Sequence, residues 1–426
     1  MENKLSSRFW LALTIFSLMG QVAWVIENMY FNVFIYKMFH ASAADISAMV
    51  TASAVTATLT TVFMGALSDK VGKRKLFICS GYILWGISIF LFVLLREDVI
   101  SKTFTMVSSA ASMGISLTIL LDCLMTFFGS TANDAAFNAW LTDSVDGENR
   151  GAAEGINAMM PLVSILVVFG GFMFFDLDKA SSWSMIYTII GTLVTAVGVL
   201  GFFIIDEPAI QRTESSYFAG IIYGFLPKTI ARNKKLYASL LAFIIFNISI
   251  QIFMPYLIIY YEVSLGMKDY VLIMAPAIIV ASVITALWGK VYDKKGYTFS
   301  GVLALISLLI GYAILFLTRT TVPVFIGSLF MMSGYLCAMA VFGAFIRDHI
   351  PNGMAGRFQG VRICSQVLIP GVLGPMIGKK ILENARTVIG NDGTQSFVPN
   401  ANIFLAAGIA AIFVLPFFIK RKTVHK

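Results

Sequence analysis

Twelve apolar runs, each of roughly 20 residues, dominate the chain, and each is long enough to cross the hydrocarbon core of a bilayer as a helix. Only helices satisfy their backbone hydrogen bonds within one segment there, so the fold class is all-α and integral to a membrane. The runs span about 9–36, 46–67, 76–95, 118–141, 153–175 and 183–205, then 236–261, 269–288, 299–317, 322–346, 358–378 and 402–419. With 58% hydrophobic and only 13% charged residues, the 426-residue chain lies outside the soluble globular class. The first run is too long for a cleaved signal segment. All four cysteines (Cys79, Cys123, Cys337, Cys364) fall in apolar runs, where packing is their expected role.

Lys and Arg set the expected orientation, because basic flanks stay cytoplasmic. Of the 31, 21 fall in connections and tails on the side of the N-terminus, 9 on the opposite side, and Arg362 lies inside a run. Both termini are therefore expected in the cytoplasm, in a plasma or bacterial inner membrane. The same asymmetry accounts for the net charge of +8, so no nucleic-acid partner is needed.

The chain repeats internally. The longest polar interruption, 206–235, separates an N-terminal half (1–205) from a C-terminal half (236–426). At an offset of 224, Gly65, Asp69, Lys70 and Gly72 fall on Gly289, Asp293, Lys294 and Gly296, and Glu27 on Gln251. At an offset of 205, "GSTANDAAFNAWLTD" (129–143) falls on "GYLCAMAVFGAFIRD" (334–348), with Trp140 over Phe345. Ordered matches of this kind mark a duplicated six-helix unit. The change of offset places an insertion in the first half, within roughly 96–117, on the outer side.

The stretch "GALSDKVGKRK" at 65–75, between the second and third runs, has the spacing Gly65, Leu67, Ser68, Asp69, Lys70, Gly72, Lys73, Arg74. It resembles the signature of the major facilitator superfamily. Glycines permit a tight turn, and Asp69 can pair with a cation or a helix N-terminus. The resemblance implies a cytoplasmic gate that involves Gly65, Asp69, Lys70, Gly72 and Arg74, with Asp293 in the second half and Arg357 as a partner for Asp69. It also implies a cavity lined by the first, fourth, seventh and tenth helices, and a monomer as the complete unit.

Ionisable groups in hydrocarbon are costly and point to function. The first run reads "GQVAWVIENMYFN", in which Gln21, Trp24, Glu27, Asn28, Phe31 and Asn32 share an arc of roughly 140°. In the fourth, Ser130, Asp134 and Asn138 stack at i, i+4 and i+8, whereas Asp122 is expected on a different face with a structural role. The second half has Ala338, Met339 and Gly343 where the first has Asn133, Asp134 and Asn138, so the acids are confined to one half. Their neighbours across the cavity would be Asn247, Gln251, Tyr256, Tyr260 and Tyr335. A carboxyl group without a fixed cationic partner can take up and release a proton as its surroundings change.

"GQVAWVIEN" and a fourth run ending "AWLTD" look like the glycoside-pentoside-hexuronide cation symporters and the related proton-coupled sucrose transporters. The second run carries no acid before Asp69, which departs from the sodium-coupled melibiose permeases, so the proton is the expected coupling ion and sodium is disfavoured. The expectation is a symporter of a neutral polar solute, a sugar or glycoside, with Glu27 and Asp134 as coupling residues. Trp24, Phe31 and Tyr256 would stack on a ring, and Gln21, Asn28, Asn138, Asn247 and Gln251 would bond hydroxyls, with Tyr335 beside them. No cofactor, metal site or enzymatic motif is expected. An exporter of lipophilic cations, a lysolipid carrier and a non-transporting sensor stay open as alternatives.

Overall fold

The computed structural model describes residues 5–103, 109–145, 149–207, 222–351, 355–389 and 394–419. Ten helices among them are long and apolar enough to cross a membrane. The first six are α1 (Ser7–Phe39), α2 (Ala43–Val71), α3 (Arg74–Leu94), α4 (Ala110–Ser144), α5 (Arg150–Phe172) and α6 (Ala180–Ile204). In the second half they are α7 (Lys234–Ser264), α8 (Tyr270–Leu317), α9 (Thr321–His349) and α10 (Gly360–Leu382), and a shorter apolar helix follows, α11 (Asn402–Phe418). The eighth and ninth apolar runs thus join in one element, α8, which bends at Gly296, whose φ of 77° is non-helical. With α8 counted as two passes, the described helices accommodate the twelve crossings. Apolar side chains such as Leu120, Phe203 and Phe413 lie exposed along them, as a lipid-facing surface requires.

Helix boundaries follow local chemistry. Ser42 and Asp45 form a capping box at the start of α2, and Gly72, at φ 69°, closes it in the left-handed conformation. The expected insertion contains a short helix, Glu97–Thr103, and its residues 104–108 lie outside the described residues. A two-stranded antiparallel hairpin, β1 (Thr387–Ile389) and β2 (Gln395–Phe397), joins α10 to α11 and pairs Val388 with Ser396.

The chain divides into two compact units, Met1–Ser215 and Ser216–Lys426. In the first, small residues bring helices close: a Cβ on Gly86 of α3 would meet the Thr195 backbone nitrogen of α6 at 2.6 Å. Beside them an aromatic cluster joins α1 to α5 and α6, with Phe34 5.2 Å from Trp183 and Tyr30 3.9 Å from Phe172. In the second unit Phe253, Tyr312 and Phe404 join α7, α8 and α11.

Candidate functional site

Both acids singled out by the sequence sit where their helices widen. Glu27 lies in a π-helical segment of α1, Ile26–Tyr30, and Asp134 in one of α4, Ser130–Phe137. A π-turn gives up regular i→i−4 bonding and re-aims the side chains on it, and such turns recur at functional sites. Glu27 is buried, and its Oε1 accepts from Ser53 Oγ of α2 at 2.5 Å and from Thr126 Oγ1 of α4 at 2.9 Å. Those two hydroxyls lie 3.0 Å apart, so the carboxyl closes a small polar network across three helices. Asp134, half-buried, accepts from Ser130 Oγ at 3.0 Å. The two carboxyl groups are within electrostatic reach of each other, and among the described residues no Lys, Arg or His stands against either.

Trp24 lies one turn before Glu27, and its ring is 5.0 Å from that of Trp85 on α3. Gly129 lies under both rings, since a Cβ there would come 2.7 Å from Trp85 and 3.0 Å from Trp24. The sequence therefore supplies an indole pair beside the acids, Trp85 being the member that periodicity within α1 could not disclose. Phe31, expected to stack on a solute, packs instead within its own half, 4.6 Å from Phe92 and 5.8 Å from Tyr187, at 1% exposure. Its ring belongs to the core.

The asparagines also differ from expectation. Asn28 Nδ2 donates to Trp24 O at 2.8 Å, Asn32 Nδ2 to Asn28 O at 3.0 Å and Asn138 Nδ2 to Asp134 O at 3.1 Å. Each amide turns back on the carbonyl four residues earlier, which supplies a donor near the widened turns. Asn28 and Asn138 remain exposed, whereas Asn32 is fully buried; Gln21 is half-buried. Asn133 makes the one asparagine bond across helices in this set, donating to Tyr82 Oη at 2.7 Å, which in turn donates to Phe16 O at 2.8 Å.

Asp122 is the residue that periodicity misplaced. It is 1% exposed and within electrostatic reach of Glu27, one turn before Thr126 on α4. The polar series Asp122, Thr126, Ser130, Asp134 thus runs down α4 at steps of four, with Glu27 bonded to its second member.

The gate motif forms a clasp inside the first half. Buried Arg74 pairs with Asp69, donates to Ser68 Oγ at 2.5 Å and bonds Asp143 of α4 at 3.1 Å through Nε. Asp69 therefore takes Arg74, five residues away, as its partner. The expected partner Arg357 has its side chain outside the described residues. Lys70 is exposed, and Gly65 faces Ala135 of α4, 3.7 Å from where its Cβ would be. Trp140 Nε1 donates to Asp206 O at 3.0 Å, which fixes the end of α6 to the same cluster.

With α1 to α6 and this clasp in place, comparison with known proteins decides the family. The model of the Major Facilitator Superfamily matches residues 9–375. The chain belongs to that superfamily. It is a multi-pass membrane transporter, not an enzyme. No curated protein sequence is significantly similar to it. Among solved structures, the superfamily fold is shared with a bacterial homologue of the human lysosomal transporter Spinster, inward-facing and unoccupied (TM-score 0.70, 16% identity, 97% of each chain covered). It is shared also with the nucleoside transporter NupG (TM-score 0.69, 12% identity, 96% of this chain and 99% of that one). A third is the xylose transporter XylE from E. coli, partially occluded and inward-open (TM-score 0.70, 12% identity, 98% and 100%). At these identities the likeness is one of fold.

In the second half of this superfamily member, Asn247 is buried and donates to Phe243 O at 2.8 Å, repeating the backbone bond of the first-half asparagines. Gln251 is half-buried, with Gly374 of α10 so close that an added Cβ would meet Gln251 Cβ at 2.3 Å. Tyr256, expected to stack on a solute, is fully buried, 6.2 Å edge-on to Phe397 of the hairpin and in contact range of Gly378, so it too serves the core. Tyr335 lies half-buried and parallel to Phe246 at 6.3 Å. Asp293 is exposed, and at this turn the described hydrogen bond runs instead from Tyr292 Oη to Asp348 Oδ2, 3.0 Å.

Proposed function

We propose that this superfamily member is a proton-coupled symporter that takes up a neutral polar solute, a sugar or glycoside, by alternating access, with both termini in the cytoplasm. The observation that carries the reading is the pair Glu27 and Asp134: two carboxyl groups on membrane-spanning helices, bonded to hydroxyls and faced by no cation among the described residues. Such groups change protonation when a conformational change alters their surroundings, which is how an ion gradient does work on a solute. Absence of a fixed cation beside them favours a neutral solute over an anion. Exposed Asn28 and Asn138, half-buried Gln21 and the face of Trp24 from the first half, and half-buried Gln251 and Tyr335 from the second, are the groups assigned to the solute. The resemblance of "GQVAWVIEN" and "AWLTD" to the glycoside and sucrose symporters supports the same class.

A second reading draws on the Trp24 and Trp85 rings beside Asp134, because indole faces and a carboxylate also suit a lipophilic cation, whose export would use the same groups. One experiment separates the two. Thermal unfolding of the purified full chain is measured with mono-, di- and trisaccharides and with lipophilic cations at two pH values. A ligand present at 100 times its Kd adds about 2.7 kcal/mol to the native state. Stabilisation by a saccharide that is lost in Asp134→Asn is the expected result, and stabilisation by cations alone would replace the symporter with the exporter.

A further inference from the structure

The wide turn of α4 that carries Asp134, Ser130–Phe137, is seated on α3 at three neighbouring places. A Cβ on Gly81 would meet Ala132 Cβ at 2.6 Å, so the two helices touch there with no room for a side chain on α3. Beside it, Tyr82 Oη accepts from Asn133 Nδ2 at 2.7 Å and donates to Phe16 O of α1 at 2.8 Å. One turn further along α3, Trp85 lies 2.7 Å from where a Cβ on Gly129 would be. Gly81, Tyr82 and Trp85 share one side of α3, and all of Tyr82, Trp85, Ala132 and Asn133 are buried. From α1, Gly20 closes the other side, its Cβ position 2.1 Å from Asn133 Nδ2. Asn133 joins two kinds of bond: its carbonyl accepts from the Asn138 amide five residues on, the bond that widens the turn, while its side chain holds Tyr82. Wide turns are rare, because they give up regular i→i−4 bonding. This one is held from outside its own helix by a phenol.

We propose that Tyr82 is a positioning residue for Asp134: through Asn133 it holds the wide turn of α4 in place and so fixes where the Asp134 carboxyl points. Without the Tyr82 hydroxyl the buried Asn133 amide loses its acceptor on α3, and an orphaned buried donor is costly. Relaxation of the turn to regular helix relieves that strain by removing one residue from the wide loop, which rotates the two flanking parts of α4 against each other by roughly 100°. Asp134 follows Asn133 directly, and its bonded partner Ser130 stands at the start of the same turn, so the relaxation re-aims the carboxyl and breaks its match with Ser130. Tyr82 touches neither proton nor solute in this role. The consequence for protonation rests on the coupling reading above, in which Asp134 takes up and releases a proton; the consequence for where residue 134 points does not.

The test has two readouts on the purified full chain. The first is the rate at which a water-soluble thiol reagent modifies Asp134→Cys in a chain whose four cysteines are replaced by alanine. Adding Tyr82→Phe, which keeps the ring and removes only the hydroxyl, is expected to change that rate severalfold. Asn133→Leu breaks the same bond from the other side and is expected to change it alike, with no further change when the two are combined, as for partners in one interaction. Tyr187→Phe, which removes a buried hydroxyl that has no hydrogen-bond partner, is expected to leave the rate unaltered. A lower melting temperature with an unaltered rate in Tyr82→Phe makes the bond merely structural and overturns the proposal, as do additive effects of Tyr82→Phe and Asn133→Leu. Should Tyr82→Phe fail to fold, an unaltered rate in Asn133→Leu is the overturning result. The second readout is pH-difference infrared spectroscopy with Asp134 in place, where the protonated-carboxyl band that Asp134→Asn removes is expected to shift its titration midpoint in Tyr82→Phe. If Asp134→Asn removes no band while the labelling rates behave as expected, the coupling reading fails and the positioning by Tyr82 stands.

Discussion

In the first half, the turn between α2 and α3 is held by Arg74, whose guanidinium bonds Asp69, Ser68 and Asp143. At the corresponding turn of the second half, Tyr292 donates to Asp348, the repeat counterpart of Asp143. The interiors differ in the same sense. The first half buries Glu27 with two hydroxyls bonded to it, and Asp122 as well, whereas the second pairs Tyr261 with Ser328 and Tyr312 with Ser249, the latter at 3.1 Å. A phenol and a hydroxyl satisfy each other without charge, so the second half gains rigidity at little electrostatic cost. A carboxyl group has no such neutral resting arrangement unless it takes a proton. At these places the first half thus uses carboxyl groups and the second neutral hydroxyl pairs.

The largest effect is expected at the clasp. Arg74→Met leaves two acids without their shared cation, and since Asp69 is 61% and Asp143 31% exposed, both can hydrate, so the loss is discounted to about 1.5 to 2.5 kcal/mol from the larger figure for a fully buried pair. Tyr292→Phe removes one hydrogen bond at an exposed turn and should cost about 0.5 to 1 kcal/mol. Thermal unfolding of both variants checks this, and equal losses would end the claim that the two turns are held by different chemistry.

A single methyl group gives the next effect, with opposite sign in the two halves. On Gly20 a Cβ would come 2.1 Å from Asn133 Nδ2 and 2.7 Å from Tyr82 Oη, so Gly20→Ala must displace the Asn133, Tyr82, Phe16 chain and should cost about 1 to 3 kcal/mol. Gly343, the counterpart of Asn138, has nothing within 4 Å of an added Cβ, so Gly343→Ala should stabilise its helix by about 0.5 to 1 kcal/mol. Melting temperatures that move in the same direction would show that the close packing around Gly20 is not what separates the halves.

What could be read from the sequence follows from how strongly each feature is constrained. Hydrocarbon favours helices, so hydropathy alone located the apolar helices, and the spacing Gly65, Asp69, Gly72 pointed to the superfamily whose model matches the chain. Partner choice was not readable. Asp69 has several cations within plausible reach in the sequence, and only the fold shows Arg74 folded back on it. The π-turns were hidden as well, since nothing in "IENMY" or "STANDAAF" prescribes a wider turn. They explain the misplacement of Asp122: at 100° per residue it lies roughly 120° from Asp134, but the segment Ser130–Phe137 turns more slowly and reduces that drift. Phe31 and Tyr256 show a further limit, because an aromatic on a polar helix face looks the same in sequence whether it meets a solute or a neighbouring ring.

The smallest effects are expected where the halves remain alike. Each ends its fifth-helix equivalent with an exposed ion pair three residues apart, Asp176 with Lys179 at 3.1 Å after α5 and Lys380 with Glu383 at the end of α10. Hydrogen bonding to Lys179 and to the Asp178 backbone holds the Asp176 carboxyl below its ordinary range, and the Lys380 ammonium does the same for Glu383. A carboxyl lowered in the folded state contributes stability above its unfolded pKa and loses it as the pH falls through the folded value. Asp176→Asn and Glu383→Gln should therefore destabilise only slightly at neutral pH, and their difference from wild type should fade together on acidification. Solvent and salt screen both pairs, so raising the ionic strength should have the same effect at constant pH. A pH profile of melting temperature for the two variants tests this. If one half responded and the other did not, the asymmetry between the halves would extend to the surface and could not be ascribed to the buried acids of the first half.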